Sequence, residues 1–304
     1  MNTVVSQSRT RAGDVRLSAR GLLTAVRPRQ WPKNLLVFGA PAAAGMLFDL
    51  NALVDATLAF AAFTLAASGT YLINDAYDAP YDRVHPTKRH RPVAAGLLSP
   101  RTAVAFGVLS IMMSLVPAVM IGNLDFVITV VAYVVLTASY TLWLKQIAVV
   151  DLVAVASGFG LRAVGGAFAI SVHISQWFLI VSFFGALFVV AGKRFGEQQN
   201  LGLAAAAHRK TLDSYAESYA QHVMTLSSGI ALVGYGLWAH DHGFLSDWWF
   251  LGSLMVLVTT LLRFSLLVHA GVSDDPVEIV WRDKTLRVLA IIFLTLVVFG
   301  IELS

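Results

Sequence analysis

The chain has 304 residues, of which 57% are hydrophobic and only 13% charged, where an ordinary soluble domain carries about 25% charged residues. With a mean hydropathy of +0.70 this excludes a soluble globular enzyme and points to a polytopic membrane protein. There is no cysteine, which excludes disulfides, thiolate metal sites and cysteine nucleophiles. The net charge of +4 is not a nucleic-acid signal, because the placement of Lys and Arg along the chain accounts for it.

The first 33 residues contain no apolar run of signal-peptide type. They carry Arg9, Arg11, Arg16, Arg20, Arg27, Arg29 and Lys33, interleaved with Leu17, Leu22, Leu23 and Val26. That pattern predicts a basic segment, 1–33, whose later part forms an amphipathic helix on an anionic membrane face. The remainder, 34–304, reads as a transmembrane domain. A hydrocarbon core takes about 20 apolar residues per helix, and nine spans are predicted: 34–50, 52–73, 101–121, 124–143, 147–170, 176–192, 219–240, 247–270 and 286–302. The first is short and contains Pro41, which predicts a tilted or broken element. None of the 22 Lys and Arg falls in the loops near 48–55, 121–125, 171–175 or 240–247. The positive-inside rule then places the N-terminus in the cytoplasm. All seven tryptophans sit near span ends, as an aromatic belt requires.

Chemistry concentrates after the second span, in NDAYDAPYD, Asn74 to Asp82. Asn74, Asp78 and Asp82 are spaced four apart and are expected to share a helix face, with Asp75 close by. Acids at a helix C-terminus oppose the macrodipole, so a divalent cation is the economical explanation. Hard oxygen donors suit Mg²⁺, which commonly joins one or two carboxylates to substrate phosphates. Pro80 predicts a kink that could carry Asp82 off the shared face. The cations that follow divide. Arg83 and Arg89 read equally well as membrane anchors, whereas Lys88 and Arg91 are expected to reach phosphate oxygens.

A second charged cluster, Lys193, Arg194 and Glu197 in GKRFGE, falls at the matching place after the sixth span, a hint of internal duplication. Lys193 and Glu197 could be an ordinary i, i+4 ion pair, or the cations could hold phosphate while Glu197 orients a cation or a sugar hydroxyl. Arg162 lies well inside its span, where an unaccompanied guanidinium is costly unless it faces a polar cavity; phosphate binding is the favoured reading. Asp151 is eleven residues away, about 16 Å along a helix, and too far to be its partner. Tyr140 and Lys145 in YTLWLK, and Arg27, Gln30, Lys33 and Asn34 in RPRQWPKN, are expected to ring the same opening. The eight histidines show no metal spacing, and Asp213 and Glu217 read as surface charges.

NDxxDxxxD after the second span, YxxxLK at the end of the fourth and nine predicted helices resemble the UbiA superfamily of intramembrane prenyltransferases. Usual members carry a second acidic motif of DxxxD type where this chain has GKRFGE. In that departure, and in RPRQWPKN, LRAVGGAFA, SQWFL and PVEIVWRD, the chain resembles the branch of decaprenyl-phosphate phosphoribosyltransferases. The resemblance implies an all-α bundle in a bacterial plasma membrane, with its active site toward the cytoplasm. It implies transfer of a 5-phosphoribosyl group from phosphoribosyl diphosphate to a polyprenyl phosphate, for cell-wall arabinan precursors. A homo-oligomer, with a trimer as candidate, is also implied; nucleic acid is not. On this reading Asn74, Asp75, Asp78 and Asp82 hold Mg²⁺, and Asp78, Asp82, Lys193 and Glu197 are the catalytic set. Lys33, Lys88, Arg91, Tyr140, Lys145, Arg162 and Arg194 bind substrate. Three alternatives stand beside it: a prenyltransferase moving a prenyl group from its diphosphate to an aromatic acceptor, a transporter for an anionic lipid or metabolite, and a structural membrane scaffold, which leaves the acid cluster unexplained.

Overall fold

Among the described residues, the computed structural model has seven helices long and apolar enough to cross a membrane. The structure describes residues 19–84, 86–201, 217–241, 248–273 and 275–302. Arg9, Arg11, Arg16, Leu17, Asp213 and His242 lie outside these, as does the Glu217 side chain. In chain order the helices are α1 (Ala19–Ala25), α2 (Gly39–Ala43), α3 (Leu50–Asp82), α4 (Pro100–Met120), α5 (Leu124–Leu142) and α6 (Val150–Ala169). They continue as α7 (Gln176–Leu201), α8 (Glu217–Asp241), α9 (Trp248–His269), α10 (Pro276–Arg282) and α11 (Lys284–Glu302). The seven are α3 to α7, α9 and α11. No strand occurs among the described residues.

Two of the expected spans take another form. The first is not a spanning helix: Pro28–Phe38 winds as a 3₁₀ segment containing Pro32 and runs into the five residues of α2, which contain Pro41. Each proline removes a backbone donor and disfavours a continuous α-helix. This 3₁₀ segment is held from the side. A Cβ on Gly166 of α6 would stand 2.0 Å from the Val37 carbonyl oxygen, so backbone meets backbone there. The seventh expected span is present as α8, but Ser227, Ser228, Gly229, Gly234 and Gly236 dilute its hydropathy.

Capping side chains set where several helices begin. Asp49 accepts from the Ala52 amide at 2.8 Å, Ser99 from Thr102 at 3.1 Å and Asn123 from Asp125 at 2.9 Å, each satisfying an otherwise orphaned donor. Helix α3 runs 33 residues without a break, through Pro80. It therefore extends about 50 Å, well beyond a hydrocarbon core of about 30 Å. It pairs with α4 at close range, because Gly69 and Gly107 face each other: a Cβ on Gly69 would lie 2.6 Å from the Gly107 oxygen. One core cluster gathers Val37, Phe63, Phe126, Val130 and Tyr133, with Phe63 edge-on to Phe126 and Tyr133 at 6.0 and 5.5 Å. A second joins α7, α8 and α9 around Phe188, Phe195, Met224 and Phe264. Met112, Val119, Ile128, Leu262 and Leu294 point outward, as lipid-facing side chains do. Successive long helices alternate in direction, so the termini that carry the acids and nearly all the described Lys and Arg gather at one end of the bundle.

Candidate active site

The C-terminal turns of α3 supply the acids of this charged end. Asn74, Asp78 and Asp82 do not share one face. Eight residues drift about 80° around a helix of 3.6 residues per turn, whereas seven drift only about 20°. Asp75 and Asp82, seven apart, form the buried row, 1% and 5% exposed. Arg91 links them, its Nη1 2.8 Å from Asp82 Oδ2 and 3.3 Å from Asp75 Oδ1. Arg27 also pairs with Asp75. Asn74 and Asp78 form a neighbouring row that faces the end of α5. Thr141 donates to Asn74 Oδ1 at 3.1 Å, and Lys145 Nζ lies 2.6 Å from Asp78 Oδ1. Asp82 has thus stayed on the helix but joined a different partner than its spacing suggested.

The other cluster lies on α7, which continues through it as helix to Leu201. Arg194 is buried and extends Nε to Asp151 Oδ2 at 3.1 Å, Nη1 to Glu197 Oε2 at 2.7 Å and Nη2 to the Tyr140 hydroxyl at 3.1 Å. It ties α5, α6 and α7 together. Asp151 in turn sits in the first turn of α6, where a helix dipole favours an anion. Lys193 Nζ is 3.9 Å from Glu197 Oε1, far looser than the Arg194 contact. The α7 cluster therefore contains one engaged guanidinium and one more open ammonium, rather than two equivalent phosphate donors. Tyr140 and Lys145, five residues apart, connect it to the acids of α3.

Arg162 lies deeper and is buried among neutral partners: Nε donates to Asn34 Oδ1 at 2.7 Å, Nη1 to the Gly158 carbonyl at 2.7 Å and Nη2 to the Tyr133 hydroxyl at 2.8 Å. Asn34 donates onward to Thr64 at 3.0 Å. Among the described residues no carboxylate lies within salt-bridge distance of Arg162, so its positive charge is uncompensated. Lys33, one residue from Asn34, is half-buried, and burial together with the nearby Lys193 lowers its pKa from 10.5 to about 7. Gln30 shares its face of the 3₁₀ segment, since i and i+3 eclipse, and donates to Asp275 Oδ2 at 2.9 Å. Burial would raise the Asp275 carboxyl, but Lys33, Lys193 and the Gln30 bond hold it below the usual range. Lys88 is half-buried in the turn Lys88–His90, just before Arg91.

The donor set fits a hard divalent cation chemically. Asn74, Asp75, Asp78 and Asp82 offer only oxygen, and Asp75 Oδ2 is buried without a hydrogen-bond partner. Among the described residues, however, no three carboxylates or imidazoles converge tightly enough to hold a metal, because the acids are drawn to Arg27, Arg91 and Lys145. A cavity of about 70 Å³ bordered by Ala40, His173, Phe178 and Trp238 lies at the opposite end of the bundle, remote from all these charges. The sequence reading did not anticipate Arg27 as a partner of Asp75, nor Asp151, Asn34 and Asp275 as anchors of the cations. Asp275 closes the run VSDD, and its only signal in the sequence is its place just before Pro276, a helix cap position.

Residues 35–280 match the model of the UbiA prenyltransferase family. The chain is 39% identical over 281 residues to the decaprenyl-phosphate phosphoribosyltransferase of Mycobacterium tuberculosis, covering 91% of this chain and 93% of that one. It is 36% identical to the protein of the same name from Corynebacterium glutamicum, covering 93% and 87%. A solved UbiA homolog from Archaeoglobus fulgidus, bound to GPP and Mg²⁺, superposes with a TM-score of 0.70 at 17% identity, covering 93% of this chain and 99% of that one.

Proposed function

The chain belongs to the UbiA prenyltransferase family, and from that premise we infer that it transfers a 5-phosphoribosyl group from phosphoribosyl diphosphate to decaprenyl phosphate, releasing diphosphate for cell-wall precursor synthesis. The observation that carries this reading is the 39% identity over 91% of the chain to a decaprenyl-phosphate phosphoribosyltransferase. The replacement of a second acidic motif by the cationic GKRFGE agrees with it, since a sugar donor with an extra phosphate asks for cations there. Mg²⁺ is the cofactor, and Asn74, Asp75, Asp78 and Asp82 would hold it; when bound, it neutralises charge developing on the leaving diphosphate.

The protein's own residues do the rest. Lys88, Arg91 and Lys145 stand beside those acids to take the remaining diphosphate oxygens. Lys193 and Lys33, across the opening, position the monoester phosphates of donor and acceptor. Arg194 and Tyr140 orient Glu197, which faces the sugar. Arg162, with Asn34, adds an uncompensated positive charge below them. The acceptor phosphate oxygen attacks the anomeric carbon as the bond to diphosphate breaks, with inversion. A phosphate monoester has its second pKa near about 6, so the nucleophile is already anionic and needs no strong base.

In the membrane, nine crossings form: the seven long helices, α8, and residues 34–50, which cross as the end of the 3₁₀ segment with α2 and not as one continuous helix. Residues 1–33 form the basic N-terminal part and 34–304 the catalytic domain. The gathering of Lys and Arg at one end supports a cytoplasmic N-terminus and an active site facing the cytoplasm of a bacterial plasma membrane. The assembly is a homo-oligomer, with a trimer as the candidate. The deciding experiment incubates purified protein in detergent with labelled phosphoribosyl diphosphate, Mg²⁺ and decaprenyl phosphate. Label should enter the lipid phase, and EDTA should prevent it. Asp78→Asn should lower turnover at least about 100-fold. Failure of transfer, alongside prenylation of an aromatic acid, would instead favour the ordinary family reaction.

A further inference from the structure

Each acid that α3 carries into the charged end already has a cation on it: Lys145 on Asp78 at 2.6 Å, Arg91 on Asp82 at 2.8 Å, and Arg27 with Arg91 on Asp75. Three carboxylates face three cations. The two partners differ in how they are mounted. The acids sit on one continuous helix of 33 residues. The cations sit on short connecting pieces: Arg27 at the junction of α1 and the 3₁₀ segment, with φ of 52°, Arg91 at the end of the turn Lys88–His90, and Lys145 in the turn Leu144–Gln146. Arg27 and Lys145 lie over the rings of Tyr71 and Tyr77 at 5.0 and 5.3 Å, which leaves both side chains a second resting place. Acids fixed on one helix and long, flexible cation side chains on the connecting pieces make an arrangement that can change partners by side-chain rotation, without repacking the bundle.

A divalent ion entering alone would have to detach these cations and then share the site with them, leaving the cluster with excess positive charge. A divalent ion entering with diphosphate brings negative oxygens for the same cations to take. Resting on the reading of this end as a diphosphate site, we propose that Arg27, Arg91 and Lys145 are exchange residues. Each holds a carboxylate of α3 while no metal is present and moves to a diphosphate oxygen when metal and diphosphate arrive, so that metal alone binds weakly and the two bind as a unit. Arg27, expected from the sequence only to ring the opening, thereby gains a direct role in donor binding. Asp75 Oδ2, buried and without a partner, is the oxygen that the exchange would satisfy.

The test uses the full-length protein in detergent, with Mn²⁺ as the probe metal followed by the spin-resonance signal of the free ion. Labelled diphosphate binding is measured separately at saturating Mn²⁺. Wild type should bind Mn²⁺ alone weakly. Lys145→Met should bind Mn²⁺ alone more tightly, by a factor in the range of roughly 5–150 typical of coupled sites, and should bind diphosphate more weakly. Opposite signs in one variant are the signature, because mere structural damage weakens both. Arg91→Met repeats the measurement should Lys145→Met fail to fold, and Arg83→Met, an exposed cation outside the cluster, should change neither. If both variants bind Mn²⁺ no better than wild type, or if wild type binds Mn²⁺ alone as tightly as its variants do, the exchange is wrong while the site reading stands. If wild type binds neither Mn²⁺ nor diphosphate under any condition, the site reading itself fails.

Discussion

Replacing Arg194 by Met isolates the network that joins α5, α6 and α7. Asp151 is 0% exposed and Arg194 4% exposed, so the substitution strips a fully enclosed carboxylate of a guanidinium 3.1 Å away. It also removes the 2.7 Å contact to Glu197. Breaking a buried pair from one side costs about 3–5 kcal/mol, because the remaining charge is left in a poorly polar interior. Asp151→Asn is milder: Arg194 keeps Glu197 and Tyr140, and one charge-assisted hydrogen bond is worth about 1.5–3 kcal/mol. The double variant removes both charges together, so its loss should fall below the sum of the singles by about 2 kcal/mol, within the range seen for contacting residues. The assay is reversible unfolding in mixed micelles, read by tryptophan fluorescence. Additive losses, or an Arg194→Met protein as stable as Asp151→Asn, would refute the argument that Arg194 exists to neutralise Asp151 and orient Glu197.

Three further outcomes follow from the 3₁₀ segment. Lys33 has a pKa of about 7, with Lys193, Arg162 and Arg27 around it lowering that value and Asp275 opposing them. Donor affinity should therefore fall as pH rises through about 7, and Lys33→Arg, which stays charged, should move that limb upward; an unmoved profile would exclude Lys33 as the titrating group. The linkage sign for stability is opposite. Between its folded value and the ordinary 10.5 the unfolded chain binds the extra proton, so this group's contribution to stability rises with pH across that window, and unfolding midpoints measured along it should rise too for wild type but not for Lys33→Met. Gly166→Ala would place a Cβ 2.0 Å from the Val37 oxygen and should push the whole segment off α6; a binding-competent protein with unchanged donor affinity would show that Asn34 and Lys33 need no such support.

Periodicity and charge made most of the bundle legible. The bounds expected for the fourth, fifth and sixth spans lie close to α5, α6 and the apolar part of α7, because long apolar runs between charged loops admit one solution. The acids of NDAYDAPYD were legible as a site for a different reason: four oxygen-bearing side chains at a helix end have no bland explanation. Their division into two rows was not, because spacing by four looks like one face until the accumulated drift over eight residues is counted. The 3₁₀ course of Pro28–Phe38 could be suspected from its prolines, but its seating depends on the bare backbone of Gly166, 129 positions beyond Val37 in the sequence. The pairing of Arg194 with Asp151 spans 43 residues and leaves no local trace. Arg162 illustrates the middle case. A charge inside a span announced itself, and Gly158 lies one turn back on the same helix, yet Asn34 and Tyr133 come from two other elements and only the fold brings them to it.

The excess length of α3 fixes where the chemistry takes place relative to the bilayer. A helix of 33 residues outruns the hydrocarbon by several turns, and Asn74 to Asp82 occupy those last turns. With these acids as the proposed diphosphate site, the reacting phosphates would meet at the depth of the lipid headgroups, not among the acyl chains. A polyprenyl acceptor can present its phosphate while its tail remains dissolved in the membrane. The free-energy cost of drawing a long isoprenoid out of the bilayer never arises. With the site at that depth, shortened acceptors that still partition into the membrane should turn over nearly as well as the full-length lipid.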